Sequence, residues 1–332
     1  MRRTVRIVVA LLIVLIAVID GLADRKLPVY IAELSNLNDY CLFANSGWDG
    51  NWYVGFNVCW MEQLPSPPPG DYSRAFIGVK LGRMKTYTPS GKPSWEKEPI
   101  PGSIYVAVAS TSAWKSSQKH LLTDTRDIPL EGDQTNALEG VGESCWFWTE
   151  VPLSEINYTG PNFVALWSPT EYLINASSSP IIAGGWGSQK VNSWMNSDVK
   201  GYAPLTPSTA LKTPITMFEP AIALKLIPAG SEQNITVTID SIKDGRYQTP
   251  QKTVTAAVSG DGIEKAWLEL SSDGVTWEKH GRCVYQPPFM FTLKPLRVAP
   301  GSWKMRCSAS DVWGNAASSE PVEIKIEPVV PK

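Results

Sequence analysis

The chain has 332 residues, with 30 Lys and Arg against 32 Asp and Glu, a formal charge of −2. That balance excludes a protein built to track nucleic-acid phosphates, and no run of lysine or arginine offers a stripe for them. Its 27 prolines and 25 glycines, with short apolar alternations in place of long amphipathic repeats, exclude a helical bundle and predict an all-β chain of two domains.

The N-terminus reads as a secretory signal peptide over residues 1–23. Arg2, Arg3 and Arg6 form a basic segment, residues 7–19 are apolar, and Gly21-Leu22-Ala23 supplies the small-residue cleavage site. Asp20 and Asp24 close the run well short of the ~20 apolar residues that a membrane-spanning helix needs. No span is therefore expected after cleavage, and the absence of a cysteine at the cleavage site argues against a lipoprotein anchor. Loss of three arginines and Asp20 takes the chain from −2 to −4. The expected location is secreted or cell surface.

Residues 39–61 read as one β-hairpin. Trp52, Val54, Phe56, Val58 and Trp60 share one parity and should face a core, while Tyr53, Gly55, Asn57 and Cys59 face the other way. Asp49-Gly50, between Trp48 and Trp52, marks the tip. That register sets Cys41 opposite Val58 or Cys59 and predicts a Cys41–Cys59 disulfide. Five cysteines leave at least one thiol free or paired between chains. Cys283–Cys307 has no support from register, and Cys145 has no evident partner. With no Cys-x-x-Cys and only His120 and His280, no zinc site is expected.

The proline-rich segment 64–70 breaks the sheet. Residues 74–81 alternate as a strand, 82–102 read as an excursion, and 103–109 form another strand. After the polar stretch 111–144, Cys145-Trp146-Phe147-Trp148 resumes the sheet. Residues 162–167 form a core strand, 180–185 lead into a glycine-rich loop, and 215–227 close the domain. About ten strands over residues 24–228 fit a jelly-roll-like β-sandwich. The likeness to jelly-roll carbohydrate-binding modules is one of architecture alone.

Pro228-Ala229-Gly230-Ser231 reads as a linker into a second domain, residues 229–332. Val254, Ala256 and Val258 alternate on one strand, as do Ala266, Leu268 and Leu270 on the next, and Trp303, Met305, Cys307 and Ala309 on a later one. Seven short strands in about 100 residues fit an immunoglobulin-like sandwich. Through Ser271-Ser272-Asp273-Gly274-Val275-Thr276-Trp277 and Ala309-Ser310-Asp311-Val312-Trp313-Gly314-Asn315, residues 231–328 resemble the bacterial immunoglobulin-like and fibronectin type III-like domains of exported proteins. That resemblance implies a spacer or display module. The antibody pattern is departed from: Cys307 has no partner on the strand 252–258, Met305 stands where a tyrosine corner would be, and Trp267 has the parity of Lys265 and Glu269.

The candidate chemistry centres on tryptophan, of which there are 14. Trp186 and Trp194, with Asn192 to bond hydroxyls, would form an aromatic platform for a glycan. Trp114, and Trp48 and Trp52 with Asp49, are weaker candidates, because aromatics in a sandwich are more often core. Asp124, Asp127, Glu131 and Asp133 offer oxygen ligands for calcium, but Arg126 sits among them and a solvated loop is the plainer reading. Asn157, Asn175 and Asn234 fit the N-glycosylation acceptor pattern. Enzymatic readings are a His120/Cys145 pair and a Glu143/Glu150 carboxylate pair. No Gly-x-Ser-x-Gly, phosphate-binding loop or His-Glu-x-x-His is present. The expectation is an exported, non-catalytic binding protein without cofactor, its partner a glycan or another surface protein. The alternatives are a structural surface or filament subunit, for which the odd cysteine is suited to an oligomer, and a carboxylate-pair glycoside hydrolase.

Overall fold

A computed structural model of the chain describes residues 26–42, 52–131, 143–187, 190–203, 211–231, 234–239, 246–247, 252–295 and 298–327. The expected signal peptide, Trp48, Asp49 and Asp133 lie outside them. Among the described residues the elements are strands and short 3-10 turns, and no helix is long and apolar enough to cross a membrane. The all-β expectation holds.

The first half is a sandwich of antiparallel sheets. In one, Tyr72–Gly82 is central, flanked by Ile222–Pro228 and Ser144–Val151, with Val29–Ile31 at the edge beyond Ile222–Pro228. The other has six strands, in the order Thr213–Ile215, Ser193–Asn196, Cys59–Leu64, Asn162–Trp167, Ser103–Ala109 and Lys119–Asp124. The inner core follows the period of two: Ala75, Ile77, Val79 and Leu81 from one sheet meet Trp60, Leu64, Val106, Val164 and Leu166 from the other. The six-stranded sheet is also covered outside, where Cys59, Met61, Ala165 and Trp167 pack beneath Trp114, Trp194 and Val199.

The expected 39–61 hairpin is corrected. Cys41 bridges Gly184 and Tyr53 bridges Ile181, so the described residues of both arms lie along the 181–184 segment and not on each other. A tight turn at Phe56-Asn57, closed by the Gly55–Val58 bridge, interrupts the long second arm. Trp52, Val54, Val58 and Trp60 still face the core as their parity requires. The Cys41–Cys59 disulfide fails with the hairpin: Cys59 is buried opposite Asn196, Cys41 is exposed, and all five cysteines are free.

The second half is a smaller sandwich. Thr236–Ile239, Lys252–Ser259 and Phe289–Leu293 form one sheet. Arg246–Tyr247, Val322–Ile326, Gly301–Asp311, Ile263–Ser271 and Glu278–Val284 form the other in that order, with Ala316–Ser318 on Gly301–Asp311. The pair Arg246–Tyr247 and Val322–Ile326 is parallel. Val254, Leu268, Leu270, Phe291, Met305 and Cys307 fill the core. Trp267 stays outside it, with the Lys265 Nζ 6.0 Å from its ring.

Two turns explain the motifs of this half. Asp273 accepts from the backbone N–H of Val275 (2.7 Å) and Thr276 (2.8 Å), which holds its carboxyl far below the usual range and lets Gly274 take a φ of +77°. Asp311 likewise accepts from the backbone N–H groups of Trp313 (3.0 Å) and Asn315 (2.9 Å). This second turn drives Trp313, 4% exposed, against Phe76 and Ile227 of the first sandwich. There the Trp313 indole N–H donates to the Lys26 carbonyl (3.1 Å), and its own carbonyl accepts from Arg74 (3.2 Å). Ion pairs Lys225–Glu264 (3.6 Å) and Lys279–Asp127 also cross the junction.

Candidate functional site

Ser144–Val151 pairs antiparallel with Tyr72–Gly82, setting Trp148 opposite Gly78. Phe147 points into the core, so Trp146 and Trp148 project from the outer face of the sheet. Gly78 is required there: a Cβ would lie 2.3 Å from the Trp148 ring. The two indoles stack at 5.3 Å and 18°. Tyr30, 41% exposed on the edge strand, approaches Trp148 at 5.7 Å, and Tyr40 meets Trp146 edge-on at 5.7 Å.

The second sandwich closes this platform into a cleft of about 610 Å³, with Glu264 and Tyr285 forming the far wall and Asn36 and Asn38 the rim. That size suits a small-molecule or oligomer subsite. The Lys225 Nζ lies 4.5 Å from the Trp148 ring and 4.9 Å from Phe76 while pairing with Glu264. Burial pulls the Lys225 pKa down and pushes that of Glu264 up, each opposed by the other's charge. Burial, then Glu264, pushes Tyr30 up to about 12. Two buried polar atoms in the wall, Trp146 Nε1 and Tyr285 Oη, have no hydrogen-bond partner among the described residues.

The candidates from sequence are dispersed. Trp186 is 69% exposed and packs on Phe218 at 4.3 Å, whereas Trp194 is 9% exposed within the outer apolar cluster and offers no open face. Asn192 donates to Glu33 (2.8 Å). Trp52 and Trp114 are core residues. In the acidic loop, Asp127 pairs with Lys279, Glu131 with Lys85, and Asp124 with Arg126 (3.5 Å); no metal-binding group of His, Cys, Asp and Glu forms among the described residues. His120 contacts Glu155 (2.8 Å), and burial pushes the Cys145 thiol up to about 12, the opposite of an activated nucleophile. Glu143 precedes the strand Ser144–Val151 and Glu150 lies near its far end, roughly 23 Å away along the extended backbone, too far to act as a glycosidase pair. Glu150 is instead clamped by Arg74 at 2.6 and 2.8 Å.

A buried acidic cluster escapes the sequence reading. Glu62 has the parity of Trp60 and Leu64 and so points into the first sandwich; it and Glu219 are both 0% exposed. Burial pushes the Glu62 carboxyl well above its usual range, with the charges of Glu219 and Glu33 adding to this. Burial likewise raises Glu219 to about 7, opposed by the Ser193 hydroxyl and aided by Glu33. Like charges sharing a dry site cannot all ionise, so protons are retained there near neutral pH. The cluster is packed shut: a Cβ at Gly187 would lie 2.5 Å from the Glu219 side chain.

No protein-family model and no curated protein matches the chain. Among solved structures it is similar to a β-1,2-glucanase from Parabacteroides distasonis, at 13% identity and a TM-score of 0.26 over 88% of this chain and 39% of that one. It is also similar to a Lactobacillus rhamnosus β-glucuronidase (11%, TM-score 0.22, 86% and 38%). A third is the apo β-glucuronidase from Ruminococcus gnavus (10%, TM-score 0.20, 86% and 38%). The chain thus spans under two fifths of each, and at such TM-scores these likenesses assign neither fold family nor activity.

Proposed function

We propose that this is an exported, non-catalytic glycan-binding protein whose sugar-binding surface is the aromatic cleft between the two sandwiches. The observation that carries the reading is the stacked Trp146–Trp148 pair with Tyr30, open to a cavity rimmed by Asn36, Asn38 and Glu264. The apolar C–H face of a sugar ring packs on such a surface, while amides and a carboxylate satisfy its hydroxyls. The test is tryptophan fluorescence quenching across a broad glycan panel. Quenching should be lost in Tyr30→Ala and Trp146→Ala and kept in Trp186→Ala. No response of the wild-type chain to any glycan removes the reading.

The second reading, a self-assembling surface subunit, is favoured by Trp186 at 69% exposure beside Met217 at 50%, the two joined where Gly187 N–H donates to the Met217 carbonyl. A sedimenting species that stays monomeric at high concentration refutes it.

A further inference from the structure

The aromatic cleft and the buried carboxyl cluster share one stretch of chain, residues 32–41. Tyr30, just before it, and Asn36, Leu37 and Asn38 within it line the cleft. Glu33, on the same stretch, belongs to the cluster: it accepts from the Asn192 side chain (2.8 Å), and its charge acts on both Glu62 and Glu219. Tyr40 joins the two sites. Its fully buried ring meets Trp146 of the cleft edge-on, and its hydroxyl accepts from the Leu34 N–H (3.0 Å). Burial, then the charge of Glu62, pushes the pKa of that hydroxyl up. The stretch also rests on Gly185, the ladder partner of Glu219: a Cβ there would come within 2.2 Å of Leu34 and 3.4 Å of the Tyr40 ring.

Of the three carboxyls, Glu62 and Glu219 stand on paired strands and Glu33 does not. Between Ile31 and Cys41 the stretch joins no sheet; a single 3-10 turn, Leu37–Asp39, and side-chain contacts hold it. It is therefore the part that yields first when charge builds up behind it. The titratable groups facing the cluster are Glu33 and Tyr40 from this stretch, Glu62 from Cys59–Leu64 and Glu219 from Phe218–Pro220. Ser193, opposite Glu62 in the ladder, and Asn192 add neutral polar groups, and Gly184–Trp186 adds nothing that titrates. Lys80 reaches the stretch at the Tyr40 carbonyl, and Asp39 is exposed and takes the Asn36 amide (3.2 Å). The charges acting on Glu62 and Glu219 are carboxylates, and neither oxygen of Glu62 finds a hydrogen-bond donor among the described residues. A second negative charge in so dry a site repels the first strongly.

We infer that residues 32–41 are a pH-operated strap: they hold the rim of the glycan cleft in place while the carboxyls behind them keep their protons, and they loosen when a second carboxylate forms there at alkaline pH. The inference rests on the glycan-binding reading and adds its regulation. Glu219 loses its proton at about 7, so a state that needs this proton falls tenfold for each pH unit above that. A loosened strap keeps part of the rim, which sets the expected loss of affinity at about tenfold between about pH 6 and about pH 8.5.

Hydrogen exchange of the full chain, read by mass spectrometry at those two pH values with labelling times scaled for intrinsic exchange, tests the strap without any ligand. Peptides covering residues 32–41 should exchange about tenfold faster at the higher pH, while Ser103–Ala109 of the same sandwich stays unchanged. Glu62→Gln and Glu219→Gln should each abolish the difference; the wild-type comparison decides on its own should either variant fail to fold. Exchange in 32–41 that is independent of pH, or that rises equally across both sandwiches, overturns the inference. Fluorescence titration with xylan, laminarin and dextran at the same pH values then reads the cleft. One of them should bind about tenfold more weakly at the higher pH, and by less than about twofold in Glu219→Gln. Equal affinity at both pH values overturns the inference and leaves the glycan reading standing. A strap that loosens while no glycan binds at either pH overturns the glycan reading and, with it, the control of binding.

Discussion

Replacing Glu219 by glutamine should make the protein more stable at alkaline pH, and the reason lies in where its proton goes. In the unfolded chain the carboxyl ionises near its usual 4.5; in the folded chain burial raises that to about 7. Below pH 4.5 the group is protonated in both states and costs nothing. Between 4.5 and 7 the unfolded chain gives up its proton first, so stability falls as pH rises, and above 7 the loss is complete. Moving one carboxyl over that interval corresponds to roughly 3 kcal/mol. Local relaxation around a buried charge offsets part of this, so about 2 kcal/mol is the working figure. Glutamine keeps the shape and does not titrate. Its amide needs partners the site lacks, a cost of about 1 kcal/mol that is the same at every pH. The measured quantity is thus the change in the difference: urea unfolding of both proteins at pH 4.5 and pH 8 should show the variant gaining about 2 kcal/mol on the wild type between them. Parallel stability–pH curves would refute the assignment of a raised carboxyl at this position.

Trp313→Ala removes the ring packed on Phe76 and Ile227 and should cost about 3–5 kcal/mol; calorimetry should then resolve two transitions, and an unchanged single transition contradicts the wedge role. Gly78→Ala places a methyl 2.3 Å from the Trp148 ring. It should displace that indole and weaken glycan binding without altering any residue that touches the ligand. Wild-type fluorescence quenching in this variant would mean Trp148 is not part of the surface. Thiol titration of the denatured, unreduced chain should find all five cysteines free; three would mean one disulfide is formed.

Period-two reading located the sandwich interiors because burial on one face of a strand leaves its mark residue by residue, as in Ala75, Ile77, Val79 and Leu81. The 39–61 hairpin failed because parity says which face is buried and not which strand is adjacent: both arms carry the right residues yet bond to 181–184. The acidic cluster was visible in principle, since Glu62 occupies a core parity between Trp60 and Leu64. The Trp146–Trp148 pair was equally visible as two same-parity indoles. What local pattern does not carry is the far wall. Glu264, Tyr285 and Trp313 reach the cleft and junction from more than a hundred residues away, through turns whose role as a dock has no signature of its own.

The aromatic cleft takes one wall from either sandwich. On the proposed function, binding and cohesion of the two halves would be linked: a molecule gripping both sides would resist their separation by a free energy that grows with its concentration relative to its dissociation constant. Neither half by itself would retain both walls of the cleft, and a pull that parts the halves would open it.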